Sequence, residues 1–262
     1  MPATCRADVE ALLRARKLDR TLVAVTETSG TTVVPETIQT GVPHLDQQLG
    51  GGIPVGQFSE IVGPRSSGRT SLLCSLLAAL TGRGDLVALI DTFDVFDAES
   101  AAAAGVRLDH LLWVRGTACT PAFPLMASRQ TGADRAVEKA IKAANLVLQS
   151  GGFSLVALDL ADAPVPALRR IPMNTWMRLQ RVIEGQMSAG VVLGASPLSR
   201  SAGGVSIVLS AASSGLQHGS WRRLDDQTMI FGGLESDVQI QRSRLLPGLK
   251  NTPVRLRASA VA

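Results

Sequence analysis

The sequence has few cysteines and few histidines, and those it has are scattered. The three cysteines, Cys5, Cys74 and Cys119, are odd in number and far apart, which argues against a disulfide framework and for a reducing compartment. The three histidines have no cysteine or carboxylate at metal-ligand spacing, so no metal site is expected. Disulfide scaffolds and zinc-binding modules are therefore not expected.

Long apolar runs are also missing. No segment offers eighteen consecutive apolar residues, so we expect no membrane span. The N-terminus carries Arg6, Asp8, Glu10 and Arg14 in place of the apolar stretch of a signal peptide. Hydrophobic residues make up 45% of the chain and charged residues 18%, with no low-complexity tract, so the chain can bury a proper core. The sequence predicts a folded cytoplasmic protein.

Acidic residues are absent from the C-terminal end. The net charge of +4 allows an anionic partner but falls short of the basic field of a dedicated nucleic-acid binder. No acid follows Asp237, whereas five basic residues do. These are Arg242, Arg244, Lys250, Arg255 and Arg257. The run is either a solvated edge strand and tail or a contact for phosphate or an acidic protein, and both interpretations stay open.

The first residues predict an element separate from the rest. Residues 7–20 have a helical rhythm with an apolar stripe of Val9, Leu12 and Leu13. A polar, β-branched stretch follows and is typical of a linker. We therefore predict an amphipathic helix over residues 1–25, a linker over 26–35 and one core domain over 36–262. The helix docks either on a partner or back onto its own core.

Apolar runs alternate with helical segments through the middle of the chain. Strands are predicted at 58–62, 86–90, 111–114, 155–158 and 191–193, and helices at 70–80, 134–149 and 174–189. Such alternation favours a parallel sheet covered on both faces. Further strands at 205–209, 228–231, 238–241 and 254–256, with no clear helix between them, favour an antiparallel extension. The predicted fold is α/β, with a mainly parallel central sheet.

A phosphate-binding motif lies between the first of these strands and its helix. Residues 63–70 read Gly-Pro-Arg-Ser-Ser-Gly-Arg-Thr, and the strand–loop–helix setting makes the match to a P-loop credible. Backbone amides and the helix N-terminus would face phosphate oxygens, and Thr70 would bind magnesium. Arg69, however, stands where the motif has lysine. A guanidinium is wider and planar, so binding can survive while hydrolysis is in doubt. The candidate nucleotide-binding residues are Gly63, Ser66, Ser67, Gly68, Arg69, Thr70 and Asp159.

Asp159 is included because it ends the predicted strand 155–158. A carboxylate at that place holds the magnesium shell in P-loop proteins. The alternative is a strand-ending aspartate that caps a turn.

These motifs resemble the bacterial recombinase family RecA. Residues 36–70 are similar to the segment that enters the P-loop of RecA, and residues 88–97, ALIDTFDVFD, resemble the strand that carries its catalytic glutamate. Gly203-Gly204 resembles the end of the second DNA-binding loop, and residues 238–250 resemble the last core strand. The resemblance implies a RecA-like P-loop core over nearly all of the chain after residue 35.

The same resemblance exposes altered positions. The family's catalytic glutamate aligns with Phe93, which can neither accept a proton nor orient a nucleophile. Asp91 and Asp94 are near, but we expect them to face other directions because side chains alternate along a strand. The glutamine that senses the γ-phosphate aligns near Ser196. Three parts of the hydrolysis cycle are thus changed together.

The DNA-binding loops are shortened as well. Only residues 197–202, with Arg200 and no aromatic residue, stand in for the second loop, so base stacking is not expected there. Residues 161–172, with Arg169 and Arg170, are either a substitute for the first loop or a solvated helix start. The candidate DNA or partner contacts are Arg169, Arg170, Arg200, Arg242, Arg244 and Lys250.

A RecA-like chain with these changes resembles the ImuA group. These proteins accompany an inactive polymerase homologue of the ImuB type and an error-prone replicative polymerase in damage-induced mutagenesis. The resemblance implies a non-catalytic adaptor in SOS-type translesion synthesis, with those two polymerases, and RecA, as partners. Val9, Leu12 and Leu13 would contact RecA or another copy of the chain. Two alternatives stay open: a DNA-dependent ATPase, and a recombinase paralogue that binds ATP and magnesium without cleaving ATP.

Overall fold

The structure is a computed structural model that describes residues 36–116, 126–198, 203–211, 220–223, 229–243 and 254–259. The predicted N-terminal helix with Val9, Leu12 and Leu13 lies outside these ranges, and so do the linker, Arg200, Arg244 and Lys250. The domain division stays a prediction. Within the described ranges no helix is both long and apolar enough to cross a bilayer.

The elements follow the predicted alternation of strands and helices. The strands are β1 Thr37–Ile38, β2 Ile53–Pro54, β3 Phe58–Val62, β4 Val87–Asp91, β5 Leu111–Arg115, β6 Leu155–Asp159, β7 Ala189–Gly194, β8 Val205–Ala211, β9 Ser220–Arg223, β10 Met229–Ser243 and β11 Val254–Ser259. The helices are α1 Pro43–Gln48, α2 Arg69–Gly82, α3 Ala98–Ala103, α4 Met126–Ser150, α5 Val165–Arg169 and α6 Met173–Ile183, with a 3₁₀ turn at Leu108–His110.

One large sheet organises the fold. Its strand order is β11-β10-β8-β3-β7-β6-β4-β5, with β9 pairing with β10 on the edge opposite β11, and β1 and β2 form a separate antiparallel pair. The six strands from β8 to β5 run parallel, and β9, β10 and β11 are joined antiparallel. The predicted parallel sheet with an antiparallel extension is confirmed. β3 lies in its interior, so the loop after β3 opens at the middle of the carboxyl edge.

Helices cover both faces of the parallel part. In β4, Val87 and Leu89 join a core with α1, α2 and α3, whereas Ala88 and Ile90 join a second core with α4, α5 and α6. This follows from the alternation of side chains along a strand. It also explains why these strands are apolar on both faces, since parallel sheets are buried on both sides.

Several predicted boundaries were wrong. The helix predicted to end at residue 189 ends at Ile183, because Gly185 has a φ of 78° that no regular helix accepts, and Ala189 already begins β7. The strands predicted at 228–231 and 238–241 are parts of the single long strand β10. The short elements β1, β2, β9, α1, α3 and α5 were not predicted. Pairing with β11 along residues 233–238 keeps β10 continuous where its local sequence breaks.

Candidate functional site

The predicted phosphate loop joins β3 to α2 at the middle of the sheet edge. Gly68 caps α2 in the left-handed conformation, with φ 92°, and Ser66 has a φ of 60°. A Cβ on Gly63 would lie 2.5 Å from the Leu209 carbonyl oxygen of β8 and 2.5 Å from the Ser67 hydroxyl. Only glycine fits there without moving backbone. The loop is therefore wound tightly beneath the first turn of α2, as a phosphate cradle requires.

Two polar side chains of the loop are buried without a hydrogen-bond partner among the described residues. They are the Ser67 hydroxyl and the Nη1 atom of Arg69, and the two residues are 1% and 8% exposed. The first-turn amides of a helix also have no intrahelical acceptor. Buried donors without acceptors are costly, so their presence beside a helix N-terminus fits an anion that would accept from them. Thr70 is exposed at the same turn and is placed to reach a bound phosphate or metal ion.

Asp159 ends β6, as predicted, and faces this loop. Its Oδ1 accepts a hydrogen bond of 2.8 Å from the Ala161 amide. Burial raises the pKa of the Asp159 carboxyl to about 6, and the Asp91 carboxylate adds to the rise, while the Ala161 amide and the Arg69 guanidinium oppose it. Because the Arg69 guanidinium acts on the Asp159 carboxyl, the end of β6 and the loop after β3 belong to one site.

The residues present fit a nucleotide phosphate better than a protein-only metal site. Among the described residues no group of three or more histidine, cysteine or acidic side chains could hold a metal ion. Magnesium, however, is commonly held by one or two protein ligands together with substrate phosphates. Thr70 and Asp159 are the residues that would hold it in that way, beside phosphate oxygens facing Arg69.

An ion pair that the sequence did not indicate closes one side of the loop. Arg65 donates from Nε and Nη2 to Oδ1 of Asp162, at 3.0 and 2.8 Å. Asp162 lies just beyond β6, so the pair ties the loop after β3 to the segment after β6. Arg65 is 83% exposed in its side chain, and an exposed pair of this kind stabilises little but restricts the loop.

Phe93 lies in a turn, so strand alternation was the wrong reason for the expected directions of Asp91 and Asp94. β4 ends at Asp91, and residues 92–94 turn away, with Asp94 at a φ of 57°. Alternation along a strand therefore does not set the directions of Asp91 and Asp94. Phe93 is half-buried against the core beneath α4, α5 and α6.

Both neighbouring carboxylates are occupied by structural contacts. Asp91 accepts from the amides of Val95 and Phe96 at 3.0 and 2.9 Å and from the indole of Trp113 at 3.2 Å. Asp94 accepts two bonds from the Arg115 guanidinium, at 2.7 and 2.9 Å. Both carboxylates next to Phe93 thus already accept hydrogen bonds from the protein.

A buried carboxylate that sequence analysis missed holds residues on both sides of 199–202. Glu60 of β3 is 2% exposed; it accepts from the Leu198 amide at 3.1 Å and from the Ser206 hydroxyl at 3.4 Å. These two residues flank the segment that contains Arg200. An acid within an apolar strand was the only signal for it. Ser196, at the glutamine position, is exposed just after β7.

The other predicted contact residues are only partly placed by the structure. Arg169 and Arg170 are exposed at the end of α5, which begins at Val165 after Pro164. Of the two interpretations left open, the solvated helix start is corrected to a helix end, and the substitute for the first DNA-binding loop stays a prediction. Arg170 pairs with Asp134 of α4. Arg242 lies in β10, and its side chain lies outside what the structure describes. The partner roles of these residues stay predictions.

The comparisons with known proteins find similarity to RecA. A family model described as the RecA N-terminal domain matches residues 17–171. RecA of Crocosphaera subtropica and RecA of Nostoc punctiforme are each 34% identical over 131 residues, which is 50% of this chain and 32% of either relative. RecA of Rickettsia bellii (strain RML369-C) is 34% identical over 132 residues, 50% of this chain and 33% of the relative. The match spans about a third of the length of these relatives.

A solved structure has the same fold. The crystal structure of the RadB recombinase covers 84% of this chain and 96% of its own with a TM-score of 0.55 and 16% sequence identity. At that identity the likeness concerns the fold alone, since one fold supports many functions.

Proposed function

The chain belongs to the RecA family, and from that premise we propose that it is a non-catalytic, ImuA-type accessory protein in SOS-type DNA damage response and translesion synthesis. In this role it is an adaptor for an ImuB-type polymerase homologue and an error-prone replicative polymerase, and it contacts RecA. The P-loop core serves as the scaffold that carries the contact surfaces.

The observation that carries this proposal is the loss of a usable base at the Phe93 turn. An aromatic ring packed on the second core occupies the position that resembles the catalytic glutamate. The adjacent carboxylates of Asp91 and Asp94 are held by three and two hydrogen bonds respectively. General-base catalysis needs a carboxylate or imidazole within reach of the attacking water. The local contacts favour a turn that is stable and inert.

The decisive experiment measures ATP hydrolysis by the purified protein, with and without single-stranded DNA. We expect no turnover above the background of the matched Thr70→Ala variant. DNA-stimulated hydrolysis that disappears in Thr70→Ala would refute the adaptor proposal and favour the DNA-dependent ATPase. A gain-of-function variant, Arg69→Lys with Phe93→Glu, tests the cause directly, because restoring both residue types should raise the rate if their loss abolished it.

The partners are tested by co-purification of the untagged protein from damaged cells. Recovery of the polymerase homologue with the error-prone polymerase supports the adaptor role. Recovery of RecA alone would reduce the proposal to a RecA-binding protein. The basic residues Arg242, Arg244 and Lys250 are our proposed contacts for the polymerase homologue or DNA, and reversing them to glutamate should weaken that contact and its salt dependence.

A second candidate function is an ATP-binding recombinase paralogue that does not cleave the nucleotide. It is supported by the unpartnered buried atoms of Ser67 and Arg69, which favour an anion in the loop. Calorimetry with a non-hydrolysable ATP analogue and magnesium tests it. Tight binding that is lost in Thr70→Ala, without turnover of ATP, would favour this function over a purely vestigial loop.

A further inference from the structure

A groove lies on the face of the sheet opposite α2 and is not part of the phosphate loop. It lies between α4 and the α5–α6 segment and has a volume of about 580 Å³. Its floor is apolar and includes Val137, Ile141, Ile171 and Leu179. Leu146 at one end is 65% exposed. An isolated exposed leucine needs no explanation, but one that continues an apolar groove indicates a docking surface.

The dimensions of the groove fit a helix. Along α4 the lining runs from Asp134 to Leu146 with the spacing of successive turns, and twelve residues of helix span about 18 Å. Val137, Ile141 and Leu146 lie along this stretch of α4. A partner helix of similar length would thus meet an apolar side chain at each turn.

The α5–α6 side of the groove is basic. No acidic residue occurs between Asp162 and Glu184, whereas this stretch holds four arginines. Arg170 is neutralised by Asp134, but Arg178 lines the groove and has no ion-pair partner among the described residues. On α4 the lining holds Asp134, Glu138 and Lys142, so that with Arg170 and Arg178 it carries three bases and two acids. The unbalanced charge at the groove is positive.

The positive charge of the groove indicates which kind of molecule would bind there. The chain's own residues 1–20 contain five bases and three acids, a net charge of +2, and the C-terminal run is basic too, so neither complements the groove. Single-stranded nucleic acid would bring negative charge but gains much of its affinity from stacking on aromatic rings, and Trp176 of α6 is 6% exposed. An acidic amphipathic helix meets both the apolar floor and the arginines.

We propose that the groove between α4 and α5–α6 binds an acidic amphipathic helix of a partner protein, with aliphatic anchors on the floor and carboxylates facing Arg178 and Lys142. The inference deepens the adaptor function and rests on it for the kind of partner. The binding itself is measured on the purified protein without nucleotide or cells. A failure here therefore leaves the hydrolysis and co-purification tests of the adaptor unaffected.

The probe is a fluorescent synthetic peptide of about 15 residues with leucines at i, i+4 and i+7 and glutamates on the flanks. Its anisotropy is titrated with the full chain. The paired variant Arg178→Glu with Lys142→Glu should weaken binding about 10-fold or more. A peptide with lysine in place of glutamate should show the reverse preference and bind the variant better than the wild type. Leu146→Asn, which removes the apolar contact without changing the charge, should weaken binding of the acidic peptide by the same factor at low and high salt.

The matched control is the pair Arg83→Glu with Arg107→Glu, which removes the same charge on the opposite side of the sheet. This control should leave the affinity within about 2-fold. Equal loss in the control would show a general charge effect and overturn the proposal, as would failure of the acidic peptide to bind the wild type. Displacement of the peptide by single-stranded DNA, with no effect of Leu146→Asn, would overturn it in favour of a nucleic-acid surface. Circular dichroism establishes that each variant is folded.

Discussion

Replacing Asp159 by asparagine should stabilise the protein at neutral pH. The carboxyl is buried at the end of β6, and this burial raises its pKa from 3.8 to about 6. A raised pKa in the folded state means that the acid favours folding when protonated and opposes folding when ionised. Its favourable contribution is complete below pH 3.8 and is lost as the pH rises through about 6. Asparagine keeps an acceptor for the Ala161 amide and never ionises.

The magnitude follows from the two pKa values. They differ by about two pH units, and each unit corresponds to about 1.4 kcal/mol, so the ionised carboxylate opposes folding by at most about 3 kcal/mol. The lost attraction to Arg69 reduces the gain. We therefore expect Asp159→Asn to raise the free energy of unfolding by about 1–3 kcal/mol at pH 7.5 and by little at pH 4.

Urea denaturation followed by tryptophan fluorescence at several pH values measures this difference. Asp94→Asn is the matched control with the opposite sign, because hydrogen bonds from Arg115 lower the pKa of Asp94. That variant should be less stable than the wild type at neutral pH, and the difference should vanish as the pH falls through the lowered pKa. A destabilised Asp159→Asn at pH 7.5, or a gain that does not depend on pH, would refute the electrostatic account of this site.

Three further predictions concern Gly63, Gly132 and Glu60. Gly63→Ala should destabilise by about 1–3 kcal/mol, since its Cβ would meet backbone 2.5 Å away, and thermal unfolding would show it. In contrast, Gly132→Ala should stabilise by about 0.5–1 kcal/mol, because a methyl group added to this α4 glycine would have nothing within 4 Å and alanine favours helix; a loss of stability would contradict the helix there. Glu60→Ala should cost about 1–3 kcal/mol by leaving the Leu198 amide unpaired and should speed hydrogen exchange around Leu198 and Ser206. Unchanged exchange would mean that Glu60 does not hold that segment.

Much of the candidate site's backbone, from β3 through the loop into α2, was predictable because its signals are local. The signals are the glycines at 63 and 68, the apolar run before them and the apolar helix after them. Each depends only on residues that are close in sequence. The end of β6 at Asp159 was likewise visible as a carboxylate after four apolar residues. Turn geometry and helix initiation depend on neighbours in sequence, so these elements lie where the residue order indicates.

Contacts between distant residues could not be predicted in the same way. The Arg65–Asp162 pair and the anchoring of Leu198 by Glu60 join residues 97 and 138 positions apart. Strand pairing determined the length of β10, which local sequence divides in two. The directions of Asp91 and Asp94 depended on where β4 ends, and that end was set by the turn rather than by strand alternation.

The sequence by itself determined the alternation of strands and helices and the loop between β3 and α2, because hydrophobic periodicity and glycine placement are local properties. It also determined that Arg69 and Phe93 stand at the positions that resemble the lysine and the catalytic glutamate of RecA. Only the tertiary structure decided that Asp91 and Asp94 are already occupied, that Ser67 and Arg69 are buried beside Asp159, and that a basic apolar groove lies behind the sheet. These properties arise from burial and from contacts between strands far apart in the chain, and neither exists before the sheet is assembled.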